Sequence, residues 1–214
     1  ALAIHNQYAD TFRSYQDGRF LQANFGNGVL RTFWSPNTMD DEFDDTSGNS
    51  GTVNGLNARW AWRNQSTATI AYATAGYALI RVPSSAATAF RGIEQAVPGA
   101  VDWTIDCLLS REGRFGASAN AGMWLIDGTN NDLYFFGWNV DTIKVLRYSS
   151  LTVFSATIAT GPVVDQTRLY FRIKYTTATT TFEFFHSTDG IAWYRDGTVV
   201  DTVTVTKVGI CVDD

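Results

Sequence analysis

The feature that most constrains this chain is a two-residue alternation of apolar and polar side chains that returns in many segments. In the clearest of them, 169–175, four apolar residues at odd positions alternate with Tyr170, Arg172 and Lys174. Successive strand residues point to opposite faces of a sheet, so this alternation predicts a β-strand with one buried face and one face in water. It predicts further strands at 77–82, 101–109, 143–148 and 199–205.

Other segments complete an all-β pattern. The segments 122–126 and 133–138 are apolar at both parities, which predicts central strands covered on both faces. Three Asp-Gly pairs favour tight hairpin turns: Asp127-Gly128, Asp189-Gly190 and Asp196-Gly197. After residue 38 no long window has helical periodicity. We therefore predict an antiparallel β-sandwich of jelly-roll type for 39–214, preceded by a short, partly helical N-terminal arm.

Residues 1–38 form the arm. Apolar residues at spacings of four, four and three predict an amphipathic helix that ends at Asp17-Gly18, and more large apolar residues follow it. So many apolar side chains are expected to be covered by protein, either the chain's own sandwich or a second copy or larger assembly. The second alternative is the one we predict, so the arm is assigned to attachment and oligomerisation. Its assembly residues are Ile4, Tyr8, Phe12, Tyr15, Phe20, Phe25, Phe33 and Trp34.

Charge argues against two classes of partner. The chain has 16 Lys and Arg against 21 Asp and Glu, for a net charge of −5, and it has no basic stripe that would neutralise phosphates. No apolar run approaches the length of a membrane span, and the opening residues lack the layout of a signal peptide. We expect neither a nucleic-acid partner nor membrane insertion.

Eight short segments of 39–214 carry a resemblance when they are taken in order. They read DDEFD (40–44), GLNARWAW (55–62), GYALIRV (76–82), FRGIEQA (90–96), DWTI (102–105), AGMWL (121–125), STDGIAW (187–193) and VGICV (208–212). This set resembles the concanavalin A-like jelly-roll domains that occur beside glycoside hydrolases and in bacteriophage virion proteins. The chain departs from that family at Asn57-Ala58, where the family often has Asp-Pro.

The resemblance implies a fold and leaves two functions open. Virion members of the family use such arms for attachment, so the first hypothesis is a non-catalytic phage virion structural protein. It would be a capsid decoration, head-fibre or tail-fibre component at the virion surface, with itself, as a homo-oligomer such as a trimer, and other virion proteins as partners. The alternative is an extracellular carbohydrate-binding accessory domain of a secreted glycoside hydrolase. Because proteins with this fold have many different functions, the two hypotheses can be distinguished only by the residues of the functional site.

Enzymatic relatives place carboxylates at alternate positions of one strand, and this chain does not. It has four Glu, none of them in a Glu-x-Asp-x-Glu arrangement. Glu42 and Asp44 share a parity, but they stand in an acidic run typical of a solvated segment. His186 ends a predicted strand, where a polar strand-end residue is the simpler interpretation than a general base. We expect no catalytic residue and no enzyme activity.

Sugars stack on aromatic rings beside polar groups, so exposed aromatic residues are the candidates for a glycan-binding site. Most aromatic residues of a sandwich must be core, and only one or two are expected on an exposed sheet face, where they could bind surface glycans. The candidate glycan-binding residues are Trp124, Tyr134, Trp138, Tyr170 and Arg172.

No cofactor and no functional metal are expected. A structural calcium ion is the one exception that the sequence leaves open, because an acidic entry and the terminal Asp213-Asp214 would converge if the first and last strands pair. That entry comprises Asp40, Asp41, Asp44 and Asp45. Cys107 and Cys211 fall on different strand parities relative to their apolar neighbours, so we predict two reduced thiols.

Overall fold

A computed structural model of the chain describes residues 21–24, 29–32, 60–66, 68–74, 77–82, 89–99, 101–111, 119–201 and 203–213, with 21–24, 29–32, 71–74, 77–79 and 81 described by backbone alone. These residues form fifteen strands and one three-residue 3-10 helix, Thr177–Thr179. The strands are β1 (Leu21–Asn24), β2 (Val29–Thr32), β3 (Ala61–Arg63), β4 (Thr69–Thr74), β5 (Tyr77–Arg81), β6 (Arg91–Ala96), β7 (Trp103–Ser110), β8 (Asn120–Ile126), β9 (Leu133–Asn139), β10 (Thr142–Tyr148), β11 (Phe154–Val163), β12 (Arg168–Thr176), β13 (Thr181–Ser187), β14 (Tyr194–Val200) and β15 (Lys207–Asp213).

Two antiparallel sheets make up the sandwich. The large sheet has seven strands in the order β11-β10-β9-β8-β15-β6-β3, and the small sheet has four in the order β14-β13-β12-β7. The hairpins β1-β2 and β4-β5 pair only within themselves. Consecutive strands are mostly neighbours, whereas β15 enters the large sheet between β6 and β8. None of the described residues belongs to a helix long and apolar enough to span a bilayer.

The main core lies between the two sheets. Phe171 of the small sheet packs edge-on against Phe136 and Trp138 of the large sheet, with ring centroids 5.1 and 4.8 Å apart. The ring centroid of Phe184 lies 5.3 Å from the ring centroid of Phe136. Each large side chain buried in this way stabilises the fold by about 2 kcal/mol, so these rings account for much of the attraction between the sheets.

The large sheet is also covered on its outer face. Phe90 contacts Trp124, Phe135 and Tyr148 there, and all four side chains are buried. Cys211 belongs to the same cluster, and burial raises the pKa of its thiol well above the ordinary value. β8 and β9 are therefore buried on both faces, as the sequence predicts for central strands.

One contact shows that this outer face is concave. In the register of the sheet, Tyr148 pairs with Leu133 and Asn120 pairs with Asn139, at opposite ends of β9. Six residues of strand span about 20 Å, yet the Tyr148 hydroxyl lies 3.5 Å from Asn120 Nδ2. The two side chains are much shorter than that span, so these corners of the sheet curl toward each other. Burial, followed by the charge of Asp213, raises the pKa of Tyr148 to about 12.

Glycine is required where strands of the large sheet approach closely. Gly122 of β8 and Gly137 of β9 face each other directly in the register. A Cβ added to Gly137 would collide with the carbonyl oxygen of Ala121 and would stand 2.5 Å from Gly122 Cα. No side chain fits between these backbones.

The all-β sandwich predicted from the sequence is confirmed, with three local outcomes. The predicted strand 199–205 is wrong after Val200, because the described residues of 201–206 form no strand. Asp196-Gly197, predicted as a hairpin turn, lies inside β14. Cys107 and Cys211 are free thiols on different sheets, as predicted.

The predicted assembly residues of the arm and its predicted helix lie outside the described residues. So does the acidic entry at 40–45. The boundary between arm and sandwich therefore stays a prediction.

Candidate functional site

Three of the five candidate glycan-binding residues are core residues. Trp124, Tyr134 and Trp138 are exposed by 0%, 1% and 1%. Their assignment to a glycan is wrong, because β8 and β9 are covered on both faces and leave no ring surface on which a sugar could stack.

The other two candidates lie on the outer face of the small sheet. Tyr170 and Arg172 point away from the core on β12, between the buried Leu169, Phe171 and Ile173. Arg172 donates from Nε and Nη2 to the two carboxylate oxygens of Asp106, at 2.7 and 2.6 Å. Trp193 covers the guanidinium, with its ring centroid 3.9 Å from the central carbon. The sequence predicts the solvent-facing side of β12 correctly. The guanidinium of Arg172, however, is already engaged by Asp106 and Trp193.

A cleft of about 590 Å³ opens at one end of the sandwich. It lies where β6, β12 and β14 end and where β7, β13 and β15 begin. The loop 201–206 forms one wall and is fixed by backbone bonds: Asp201 N donates to Thr180 O at 2.6 Å and Thr206 N donates to Ile126 O at 3.1 Å. We call this the end cleft.

Aromatic rings line the end cleft. Tyr175 lies between Trp103 and Phe182, with ring centroids 5.5 and 4.7 Å away. Trp103 and Phe182 are mostly within the core, whereas Tyr175 is partly exposed. The indole Nε1 of Trp103 donates to no described residue and is not closed off from solvent. Trp103 itself is one of the residues that line the end cleft.

Asp201 supplies the carboxylate of the end cleft. Its Oδ1 accepts the backbone N–H of Val203 at 2.8 Å, and no described residue donates to Oδ2. Burial raises the pKa of Asp201, and the Val203 bond only partly opposes that shift. Among the described residues that line this cleft there is no Lys or Arg to stabilise the charge.

The end cleft therefore offers a donor, an acceptor and aromatic surface in one concavity, which is the combination that binds small polar ligands. Asp201 is the one carboxylate among its described lining residues, whereas glycoside hydrolysis through paired acids needs two. The described part of the chain also holds no group of three or more His, Cys, Asp or Glu suited to a metal ion.

Sequence reasoning missed this cleft for a physical reason. Trp103, Tyr175 and Phe182 have the parity of core residues, and only the ends of their strands open to solvent. The alternation in 199–205 predicts a strand that includes Asp201. The one available signal was a lone carboxylate in the otherwise uncharged segment 199–206.

Comparison with known proteins identifies the fold. No protein-family model and no curated protein matches the chain. A bifunctional GH43-CE structure from Bacteroides eggerthii is similar, with a TM-score of 0.57 and 17% identity over 81% of this chain and 26% of that one. The xyloglucan PUL GH43B structure from Bacteroides ovatus has a TM-score of 0.55 and 12% identity, over 90% of this chain and 44% of its own.

A third structure, the GH43 protein BlXynB from Bacillus licheniformis, has a TM-score of 0.50 and 13% identity, over 91% of this chain and 44% of its own. This chain thus spans less than half the length of each of the three. At such identities the likeness concerns the fold. Together with the two facing antiparallel sheets, it shows that the chain has the concanavalin A-like β-sandwich fold that its sequence resembles.

Proposed function

We propose that this sandwich is a non-catalytic carbohydrate-binding domain and that the end cleft binds a neutral sugar unit. The observation that carries the proposal is the pairing, in one cleft, of an unused donor on Trp103 with an unused acceptor on Asp201. A pair of neighbouring hydroxyl groups on a sugar matches such a pair, since one hydroxyl can accept and the other can donate.

The aromatic wall supplies the apolar part of recognition. A sugar ring carries C–H groups on its faces, which pack on aromatic side chains, and Tyr175 is the partly exposed ring of the Trp103-Tyr175-Phe182 group. The loop 201–206 is fixed by backbone bonds to β8 and to the turn before β13, so little ordering is required when a ligand binds.

The structural neighbours support this reading over the virion one. They are GH43 glycoside hydrolases by name, and one of the names mentions xyloglucan. The virion reading depends on residues 1–38, whose assembly side chains lie outside the described residues, so it stays a prediction together with its oligomeric and virion partners. Extracellular location and the absence of catalysis are part of the proposal.

The experiment is isothermal titration of the full chain with neutral oligosaccharides chosen from a glycan array. Asp201→Asn keeps an acceptor for Val203 but weakens the hydrogen bond to the sugar, and we expect about tenfold lower affinity. Trp103→Phe keeps a ring and removes the donor, with a similar loss. Lys174→Ala, on the outer face of the small sheet, is the control and should bind as wild type.

Two results would reject the proposal. One is an array on which no neutral glycan binds. The other is binding that neither cleft variant weakens. Turnover of an aryl glycoside by the wild-type chain would contradict the non-catalytic part.

A further inference from the structure

The outer face of the small sheet carries a cluster of basic residues, although the chain as a whole is acidic. Side chains on the four strands of this sheet alternate between the core and the outer face, and the strand register sets them in rows. The outer face has two carboxylates against four cations, which are Arg168, Arg172, Lys174 and Arg195. Positive charge therefore dominates here, in a chain of net charge −5. We call this surface the basic face.

Both carboxylates of the basic face are already paired. Asp106 accepts hydrogen bonds from two nitrogens of Arg172, at 2.7 and 2.6 Å. Glu183 lies 3.2 Å from Arg195, whose side chain is 62% exposed. An exposed ion pair of this kind contributes little to stability, so the guanidinium of Arg195 can exchange Glu183 for a carboxylate of a ligand.

Lys174 supplies a second available charge. Its side chain is exposed, and no carboxylate among the described residues forms an ion pair with it. Glu183 is its cross-strand neighbour, but that carboxylate is engaged by Arg195 on the opposite side. The ammonium of Lys174 lies 5.8 Å from the ring centroid of Phe185 and is open to an anionic partner.

Aromatic rings lie among these cations. In the register Phe185 stands between Arg172 and Arg195, and its ring is partly exposed. Trp193 is partly exposed too and stacks on the guanidinium of Arg172. The faces of sugar rings carry C–H groups that pack on aromatic side chains. The basic face thus combines apolar ring surface with donors of positive charge.

A β-bulge keeps a third carboxylate away from the basic face. The register of β13 and β14 skips Asp196, which is the extra residue of the bulge and the neighbour of Arg195 in the chain. Both oxygens of its carboxylate lie 2.8 Å from His186 Nδ1, and the side chain is only 3% exposed. Such a bulge re-aims a side chain, and here it directs the negative charge of Asp196 to the core side of the sheet.

We propose that the basic face binds an acidic polysaccharide, with Lys174 and Arg195 as donors to the carboxylates of uronic acid units and Phe185 as the ring on which a sugar packs. The two cations lie on opposite sides of Phe185 and two strands apart, which is about 10 Å. None of these three residues lines the end cleft, so the basic face is a second and separate site.

The choice of a glycan among anionic polymers rests on the proposed carbohydrate-binding function. It also agrees with the number of charges. Nucleic-acid binding depends on neutralising many phosphates, whereas the basic face has three exposed cations in an acidic chain.

The experiment compares an oligogalacturonate with its methyl ester, two probes with the same sugar chain that differ in charge. In NMR titrations of the isotope-labelled full chain, we expect the acid form to shift the amides of Lys174, Phe185 and Arg195. The neutral ester should leave these amides unchanged. Since salt screens exposed charges, the affinity for the acid form should fall about tenfold between about 50 and about 500 mM NaCl.

Two variants test the donors. Lys174→Gln and Arg195→Gln each remove one exposed charge, and each should weaken oligogalacturonate binding about fourfold. Lys207→Gln is the matched control, because it removes the same charge from a lysine of the large sheet and should bind as wild type. Asp201→Asn should also leave oligogalacturonate binding unchanged, which separates this site from the end cleft.

Three results would overturn the proposal. They are equal shifts with acid and ester, a loss in Lys207→Gln as large as in Lys174→Gln, and a single-stranded oligonucleotide that binds the basic face as tightly as the oligogalacturonate. If neutral glycans fail to bind while the oligogalacturonate shifts these amides, the end-cleft proposal is rejected and the basic face stands.

Discussion

Trp193 lies flat over Arg172 at a ring-to-carbon distance of 3.9 Å, and the same guanidinium is bound at its edge by Asp106. The planar guanidinium is thus held by two interactions, stacking on the indole ring of Trp193 and paired hydrogen bonds to the carboxylate of Asp106. Both members of the ion pair are only 13% exposed. This arrangement ties β7 and β12 to the segment that precedes β14.

We expect Arg172→Lys to destabilise the protein by about 2 kcal/mol, although the charge is kept. A lysine has neither the planar surface that stacks on the indole nor the two parallel donors that match a carboxylate. Urea unfolding followed by tryptophan fluorescence measures the loss. The matched control is Arg195→Lys, whose exposed contact with Glu183 should contribute less than about 0.5 kcal/mol. Equal effects of the two changes would contradict this account.

Gly137→Ala is expected to be among the most damaging single methyl additions. The new Cβ would collide with the backbone of β8, which cannot move without separating the central strands. We expect a loss of about 3 kcal/mol or failure to fold, as in an overpacked core. Thermal unfolding by circular dichroism measures the loss.

The control for that change is Gly99→Ala. Nothing lies within 4 Å of a Cβ there, and only the positive φ of 99° opposes the substitution. The cost should be about 1 kcal/mol. If Gly137→Ala were the milder of the two, the close approach of β8 and β9 would not be the reason for glycine.

Asp201→Asn should make the protein more stable at neutral pH while it weakens sugar binding. Burial raises the pKa of Asp201, so the folded protein disfavours the carboxylate. That penalty is present at a pH above the raised pKa and disappears as the pH falls toward the unfolded value of about 3.9. Unfolding temperatures at pH 8 and pH 4 should show a stabilised variant at the first pH and a smaller gap at the second. A gap that grows on acidification has the wrong sign for this cause.

The sequence predicts the strands well wherever one face of a strand is wet. The alternation in 169–175 predicts both β12 and the outward position of Arg172, because burial there differs between the two parities. The double burial of β8 and β9 is also predictable from their unbroken apolar runs. Alternation does not reveal whether the outer face of a sheet is itself covered by protein, and the glycan-binding prediction for Trp124 is wrong for that reason.

The end cleft and the contact between His186 and Asp196 could not be predicted because they depend on contacts between separate segments of the chain. His186 and Asp196 meet through a one-residue bulge, and a period-two pattern does not reveal an inserted residue. Asp196-Gly197 has the composition of a turn and therefore suggested one. Trp103 and Asp201 line the same cleft only because β7 begins on the side of the sandwich where β14 ends.

The position of β15 has a consequence for biosynthesis. This strand lies inside the seven-stranded large sheet, between β8 and β6, although it follows both of them along the chain, so β6 and β8 remain unjoined on the ribosome until residues 207–213 have emerged from the exit tunnel. The nascent large sheet consists of two separate halves with bare edges until then. The large sheet therefore becomes continuous in one step, when β15 pairs with β6 and β8 and covers both edges at once.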